Sequence, residues 1–159
     1  MKPKSLRNWI TIYEAKTHDK VEVPKGFRLF YLPSYGFCIM KPLIKERMMY
    51  IHEACGDGKF WRAFAELMCR ELNLNVIGTI FNRNIEPYLK AMEFDVLIIQ
   101  EINGQKRYIC QDNIGRKVVA TYRSERDNGE PEYWVTQYLD EKATTSEYFN
   151  PNAKVTNNL

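Results

Sequence analysis

Two glycines one residue apart stand directly before a periodic apolar stretch in the segment 53–72, which reads EACGDGKFWRAFAELMCREL. Gly56 and Gly58 leave the backbone bare at the predicted start of a helix. Unpaired N–H groups and about half a positive charge make a helix N-terminus attractive to anions, most often phosphates. The spacing is not that of a P-loop, and Trp61 replaces the third glycine of a dinucleotide fingerprint. The segment predicts either an anion site or a tight strand-to-helix turn without a ligand.

Side chains that could move a proton or attack a carbonyl flank these glycines. Histidine titrates near neutrality, so His52 is a candidate general base, with Glu46 and Glu53 as carboxylate alternatives. A strand-end histidine bonded to backbone is the structural alternative for His52. Cys55 precedes the predicted helix, whose field lowers the pKa of a thiol, so a nucleophilic cysteine is a further possibility.

Hydrophobic periodicity predicts the elements that position these residues. Helical spacing after the N-cap candidate Ser5 indicates a helix over 5–16, and further helices are expected over 59–72 and 85–92, the last capped by Asn84. The apolar stripe of the second helix is predicted to consist of Phe60, Phe64, Leu67, Met68 and Leu72, widened by Trp61 and Ala65. Strands are expected at 27–33, 36–41, 47–53 and 74–81, followed by hairpins that turn at Asn103–Gly104 and at 127–131.

This order predicts a mixed α/β (α+β) fold. The middle of the chain is a βαβα unit, and both ends are antiparallel, so we expect a central, mostly antiparallel sheet. One domain is expected over residues 1–140, followed by a polar, loosely ordered tail over 141–159. An edge of the C-terminal hairpin, about 117–139, could pair with a second copy in a homodimer.

Composition excludes several classes of protein. No apolar run of the 159-residue chain is long enough for a membrane span, and no apolar core follows the basic N-terminus, so we expect a cytoplasmic protein without a membrane partner. The cysteines and the two histidines have no metal-site spacing, so no metal is expected. Basic and aromatic residues alternate over 103–126, but carboxylates follow closely, which favours a solvated face over nucleic-acid binding.

The stretch 53–94 resembles the core of the GCN5-related N-acetyltransferase family. That family carries a Q/R-x-x-G-x-G/A loop, which here is EACGDG, residues 53–58. Its following signature, N-x-x-A-x-x-x-Y-x-x-x-G-F, here reads NRNIEPYLKAMEF, in which Asn82 and Phe94 match. The resemblance implies an acyl-CoA N-acyltransferase-like fold with a βαβα acetyl-CoA-binding core. It also implies transfer of an acetyl group from acetyl-CoA, as cosubstrate, to an amine of a small-molecule or protein acceptor.

The resemblance also implies a set of site residues. Backbone amides of the loop would hold the pyrophosphate, a splayed pair of strands at 47–53 and 75–81 would hold the pantetheine arm, and an N–H near Tyr50 or Ile51 would polarise the thioester carbonyl. The residues expected to contact the cofactor are Tyr50, Ile51, Cys55, Gly56, Asp57, Gly58, Lys59 and Asn82. Those expected to catalyse are Tyr88, His52 and Glu53.

Four positions depart from the family pattern. Glu53 replaces Gln or Arg, Asp57 adds a second negative charge to the loop, and Glu93 replaces the glycine before Phe94. Leu89 stands where the family often has the tyrosine that protonates the leaving thiolate, and Tyr88 is its neighbour. The departures support an alternative function, a catalytically degenerate domain of this fold that acts as a binding or interaction protein.

Overall fold

The computed structural model describes residues 2–144. Its helices are α1 (Leu6–Thr17), α2 (Gly58–Leu72) and α3 (Ile85–Ala91). Its strands are β1 (Arg28–Leu32), β2 (Gly36–Leu43), β3 (Met48–Gly56), β4 (Val76–Phe81), β5 (Asp95–Ile102), β6 (Gln105–Gln111), β7 (Arg116–Glu125) and β8 (Pro131–Lys142). Of the tail predicted at 141–159, the part from 145 onward lies outside the described residues. No helix within 2–144 is long and apolar enough to cross a membrane.

The chain divides into two compact units, one up to Thr79 and one from Ile80 onward. Strands pair antiparallel within both units, and the pairing of β3 with β4 is parallel. The predicted mixed α+β class with mostly antiparallel strands is therefore confirmed.

In the first unit, β1, β2, β3 and β4 lie side by side in chain order. Ser5 caps α1 as predicted, because its side chain accepts a hydrogen bond from the amide of Asn8 at 3.1 Å. Trp9 is 4 % exposed and packs with Phe37 and Ile39 of β2. Its indole Nε1–H also donates to the Pro33 carbonyl at 2.9 Å. This apolar contact with a satisfied polar end fixes α1 over β2.

Helix α2 buries the side of the predicted apolar face that Trp61 and Ala65 form, rather than its centre. Its buried residues are Trp61, Ala65 and Cys69, at positions i, i+4 and i+8. Leu67 and Leu72, which were predicted to be apolar contacts, are 52 % and 41 % exposed. Trp61 sets this rotation, because its indole Nε1–H donates to the Tyr35 carbonyl at 2.8 Å while its ring is 1 % exposed.

In the second unit, the strands follow the order β8, β7, β6, β5. The predicted turn at Asn103 and Gly104 joins β5 to β6, and both residues have positive φ (54° and 78°), as a type I′ hairpin requires. Helix α3 packs on one face of this sheet through Ile85 and Leu89, which belong to its main apolar cluster.

The C-terminal hairpin predicted to pair with a second copy consists of β7 and β8, and a homodimer through it stays a prediction. Within the second unit, β7 pairs with β6 on one side and with β8 on the other. The strand at the outer end of the order is β5, where Val96 and Ile99 are 42 % and 48 % exposed.

Candidate functional site

The glycine loop joins β3 to α2, as the sequence predicts, but Gly56 has a requirement of its own. Its φ is +101°, and a Cβ there would stand 2.2 Å from the Tyr35 carbonyl oxygen. Gly36 on β2 meets the same limit, since its Cβ would lie 1.9 Å from the Cys55 carbonyl oxygen. Contacts below 3.0 Å do not occur in real structures. The close approach of β2 to β3 therefore explains Gly56 without a ligand.

Asp57 caps α2, and its carboxylate occupies one of the backbone amides of the predicted anion site. Its carboxylate accepts from the Phe60 amide at 3.0 Å. Its own amide donates to the Tyr35 carbonyl at 3.0 Å, and its carbonyl accepts from the Trp61 amide at 3.1 Å. Cys55 and Gly56 are strand residues paired with β2. Within the predicted cradle, Gly58 and Lys59 are the exposed residues that open the helix.

A β-bulge changes the direction of the side chains on β3. Ile39 pairs with Glu53, but the next residue of β2, Met40, pairs with Ile51, so His52 is an extra residue. The His52 ring lies 5.4 Å from the Phe27 ring, and Glu53 accepts a hydrogen bond from the Tyr13 hydroxyl. Phe27 and Tyr13 both pack on the cluster around Trp9. The bulge therefore places two candidate bases on the face of β3 that α1 covers.

Glu53 has the electrostatic properties of a general base. Burial raises the pKa of its carboxyl to about 7, and the nearby carboxylates of α1 and the following loop raise it further, against the opposing hydrogen bond from Tyr13. Its Oε2 is buried and has no hydrogen-bond partner among the described residues. A carboxyl that titrates near neutrality can accept a proton from a substrate at physiological pH and later release it.

His52 lies in an aromatic environment on the same face. Its ring is 6.5 Å from that of Tyr50, and Tyr50 lies 5.8 Å from Phe27. Burial lowers the pKa of His52 below its usual value. The imidazole is therefore neutral at pH 7 and can accept a proton.

The parallel pairing of β3 with β4 stops within the candidate site. It runs from Met48–Val76 to Ile51–Thr79, and the Thr79 hydroxyl donates to the Ile51 carbonyl at 3.0 Å. Strand β3 continues to Gly56. Tyr50 and Ile51, predicted to provide the amide that polarises a thioester, thus occupy the last two paired positions.

Asn82 and Tyr88 belong to the second unit. The Asn82 Oδ1 is buried and has no hydrogen-bond partner within residues 2–144. The Tyr88 ring stacks on Phe81 at 4.3 Å and meets Phe94 edge-on at 6.4 Å. Leu89 is 1 % exposed and packs in the core under α3. The position where the family often has a tyrosine is thus an apolar core position here.

Sequence reasoning missed Tyr13 as a site residue. In the sequence it is the last of four apolar residues at helical spacing in α1, after Leu6, Trp9 and Ile10. The available signal was its polar end, since a tyrosine on an apolar stripe needs a partner for its hydroxyl. The Cys55 thiol lies on this side of the sheet too, with its Sγ 3.8 Å from the Trp9 carbonyl oxygen.

Comparison with known proteins gives a distant structural likeness. No protein-family model and no curated protein matches the chain. Among solved structures, the crystal structure of Ard1 from Thermoplasma volcanium aligns with a TM-score of 0.40 and 13 % sequence identity, over 88 % of this chain and 97 % of that one. A likeness at this TM-score carries no argument about function.

Proposed function

We propose that the protein is an N-acetyltransferase that moves the acetyl group of acetyl-CoA to an amine. The observation that carries this proposal is Glu53, a half-buried carboxyl beside the β3 bulge whose pKa is raised by burial to about 7. It lies two residues past the point where β3 and β4 stop pairing, and three residues before the glycine loop. The group that can exchange a proton at neutral pH thus lies on the strand that leads into the glycine loop and the α2 N-terminus.

Amine acceptors are protonated at neutral pH, so the first requirement is a base. In the proposed mechanism, Glu53 takes a proton from the ammonium group, and the freed lone pair attacks the thioester carbonyl. The new C–N bond forms, the C–S bond breaks, the nitrogen releases its second proton to water, and the thiolate takes a proton from water. Tyr88, which lies in the second unit, stays a prediction as the acid that protonates the thiolate. Tyr13 orients the Glu53 carboxylate through its hydroxyl. His52 is the second candidate base on this face.

Acetyl-CoA would be held chiefly by backbone of the first unit. The amides of Gly58 and Lys59, together with the N-terminal end of the α2 dipole, suit the pyrophosphate. The part of β3 beyond Ile51 offers an extended backbone to the pantetheine arm. An amide near Tyr50 or Ile51 would polarise the thioester carbonyl. Asn82, which was predicted as a further cofactor contact, lies in the second unit with its Oδ1 buried, and that role stays a prediction.

Two observations favour the alternative of a degenerate domain that binds a partner and does not catalyse. Asp57 occupies the α2 N-terminus with a negative charge, which opposes a pyrophosphate at that place. Leu89 is buried at the position where the family often has the tyrosine that acts as general acid. In this alternative the fold is kept and coenzyme A affinity is lost.

Calorimetric titration of acetyl-CoA separates the two functions. We would compare the wild type with Gly58→Glu, which puts a carboxylate into the proposed phosphate site. Gly56 is unsuitable for this test, because any side chain there would separate β2 from β3. A glutamate in the first turn of a helix is favourable to folding. The matched control is Ala63→Glu, which adds the same charge at an exposed position of α2.

Micromolar binding by the wild type and by Ala63→Glu, lost in a folded Gly58→Glu, would support the cofactor site. Glu53→Gln should then bind acetyl-CoA normally but lose transfer to a panel of amines, followed as released thiol. If the wild type gives no heat at millimolar cofactor, the enzyme is refuted and the alternative stands. Normal transfer by Glu53→Gln would instead remove Glu53 from the mechanism.

A further inference from the structure

The second unit carries a groove that the proposed acetyl transfer does not use. Its volume is about 620 Å³, and its lining comes from the end of β5, the turn at Asn103, and β6, β7 and β8. Strand register shows why these residues meet. Arg107 pairs with Thr121, and Thr121 pairs with Trp134, so the three form one row across the sheet. Val119 and Thr136 form the next row.

The groove lies on the face opposite α3. Side chains alternate between the two faces of a strand. The neighbours of the row residues, Tyr108, Ala120 and Val135, belong to the core cluster with α3. Arg107, Thr121 and Trp134 must therefore project from the other face.

Two bulges add positive charge to this face. The register of β7 against β8 shifts at Arg123, whose side chain is 54 % exposed and lines the groove. It shifts again at Lys117, whose ammonium stands 5.2 Å from the centre of the Tyr138 ring. In the sequence, the carboxylates that closely follow the basic and aromatic residues of 103–126 favoured a solvated face. The bulges instead bring basic and aromatic residues together.

The groove is basic and partly aromatic. Its lining includes the basic residues Lys106, Arg107 and Arg123 and the aromatic residues Trp134 and Tyr138, and it includes no carboxylate. Two carboxylates lie beside this lining: Glu101 pairs across the strands with Lys106, and the Glu132 carboxylate is 3.8 Å from the Arg123 Nε in a partly exposed pair. Such exposed pairs contribute little, so the positive charge of Arg123 remains available to a ligand.

We propose that this groove binds single-stranded nucleic acid. Bases stack on aromatic side chains in proteins that bind single strands without sequence preference, while basic groups follow the phosphates. Trp134 and Tyr138 are the stacking platforms in this groove, and Lys106, Arg107 and Arg123 are the phosphate contacts. An acidic peptide would satisfy the cations but would leave the aromatic platforms unused. The inference is independent of the acetyltransferase proposal.

The test is fluorescence anisotropy of a labelled 15-mer of deoxythymidine with the full chain. Each phosphate contact to a single strand gives a slope of about −0.7 in log K against log salt. Three contacts predict a slope of about −2, which is roughly a twentyfold loss of affinity between 50 and 200 mM salt. In the double variant Arg107→Ala, Arg123→Ala one phosphate contact remains, so the rise from 50 to 200 mM salt should lower the affinity only about threefold. The control, Lys16→Ala with Lys20→Ala, removes equal charge at exposed positions of the first unit and should keep the wild-type slope.

A second readout tests stacking. Trp9 and Trp61 are buried at 4 % and 1 % exposure in the first unit, so quenching of tryptophan fluorescence by the strand reports on Trp134. Trp134→Ala should bind at least tenfold more weakly and lose the quenching, with an unchanged circular dichroism spectrum. The proposal is overturned by absent binding, by wild-type affinity of Trp134→Ala, or by equal competition from a duplex, a mononucleotide or polyglutamate.

Discussion

Replacing Glu53 by glutamine should change the pH dependence of stability. Folding raises the pKa of this carboxyl from 4.5 to about 7, mainly by burial. The folded state therefore holds the proton more tightly than the unfolded chain. The stability that this group contributes is complete below about pH 4.5 and falls as the pH rises, until it levels off above about 7.

The size of the effect follows from that shift. At about 1.4 kcal/mol for each pH unit, the full shift corresponds to ~3 kcal/mol. Because the side chain is partly exposed to solvent, screening reduces this to about 1–2 kcal/mol. The wild type should therefore lose about 1–2 kcal/mol between pH 4.5 and 8 relative to Glu53→Gln, which has the same shape and cannot ionise.

Urea unfolding at pH 4.5, 6 and 8 measures this difference. Trp9 and Trp61 are both buried in the unit that contains Glu53, so tryptophan fluorescence follows its unfolding. Glu46→Gln is the matched control, since Glu46 is an exposed carboxyl a few residues before Glu53. A free-energy difference between wild type and Glu53→Gln that is the same at all three pH values would refute the argument that burial perturbs Glu53.

Three further changes have defined outcomes. Asp57→Asn keeps an N-cap but removes a negative charge from the proposed pyrophosphate site. Calorimetry should therefore show acetyl-CoA binding that is tighter by about 1 kcal/mol, or roughly fivefold. Unchanged or weaker binding would count against that site. Gly56→Ala should lower the free energy of unfolding by about 2–5 kcal/mol. Gly104→Ala should lower it by only about 1 kcal/mol, because a Cβ there meets open space. Equal losses would contradict the close contact of β2 and β3. Burial alone would raise the pKa of Asp112, but hydrogen bonds led by those from Arg116 lower it. The stability that the carboxylate contributes is therefore present above pH 3.8 and is lost as the pH falls through the depressed pKa. Acid unfolding of Asp112→Asn should lack this loss of stability at low pH.

Local chemistry made most of the fold predictable from sequence. Ser5 and Asn84 are N-caps because their oxygens accept a nearby amide, and this depends on a few neighbouring residues only. Asn103–Gly104 forms a hairpin because both residues tolerate positive φ. Such features are determined by short segments, and the sequence pattern contains them in full.

Strand register could not be predicted in the same way. The extra residue at His52 is set by how β2 and β3 pair, and no periodicity within 47–53 reveals it. The perturbed Glu53 depends on Tyr13, which is 40 residues earlier in the chain. The gathering of Arg123 with Trp134 likewise depends on a bulge between β7 and β8. The composition of the candidate sites thus depends on pairing between strands that are distant in sequence, whereas the helices and turns depend on short local patterns.

The contact between Gly36 and Gly56 has a consequence for the paths by which this sequence can vary. Each position is closed to a side chain by the backbone of the other strand. Once one substitution has moved β2 away from β3, the second enters space that is already open. The steric loss at the two positions should therefore not add, whereas the strain of a side chain at positive φ, +99° at Gly36 and +101° at Gly56, arises at each of them. The double variant should be less stable than the worse single one by about 1–2 kcal/mol, the cost of the second strained residue. Sequence change at either glycine is therefore opposed both before and after the other has changed.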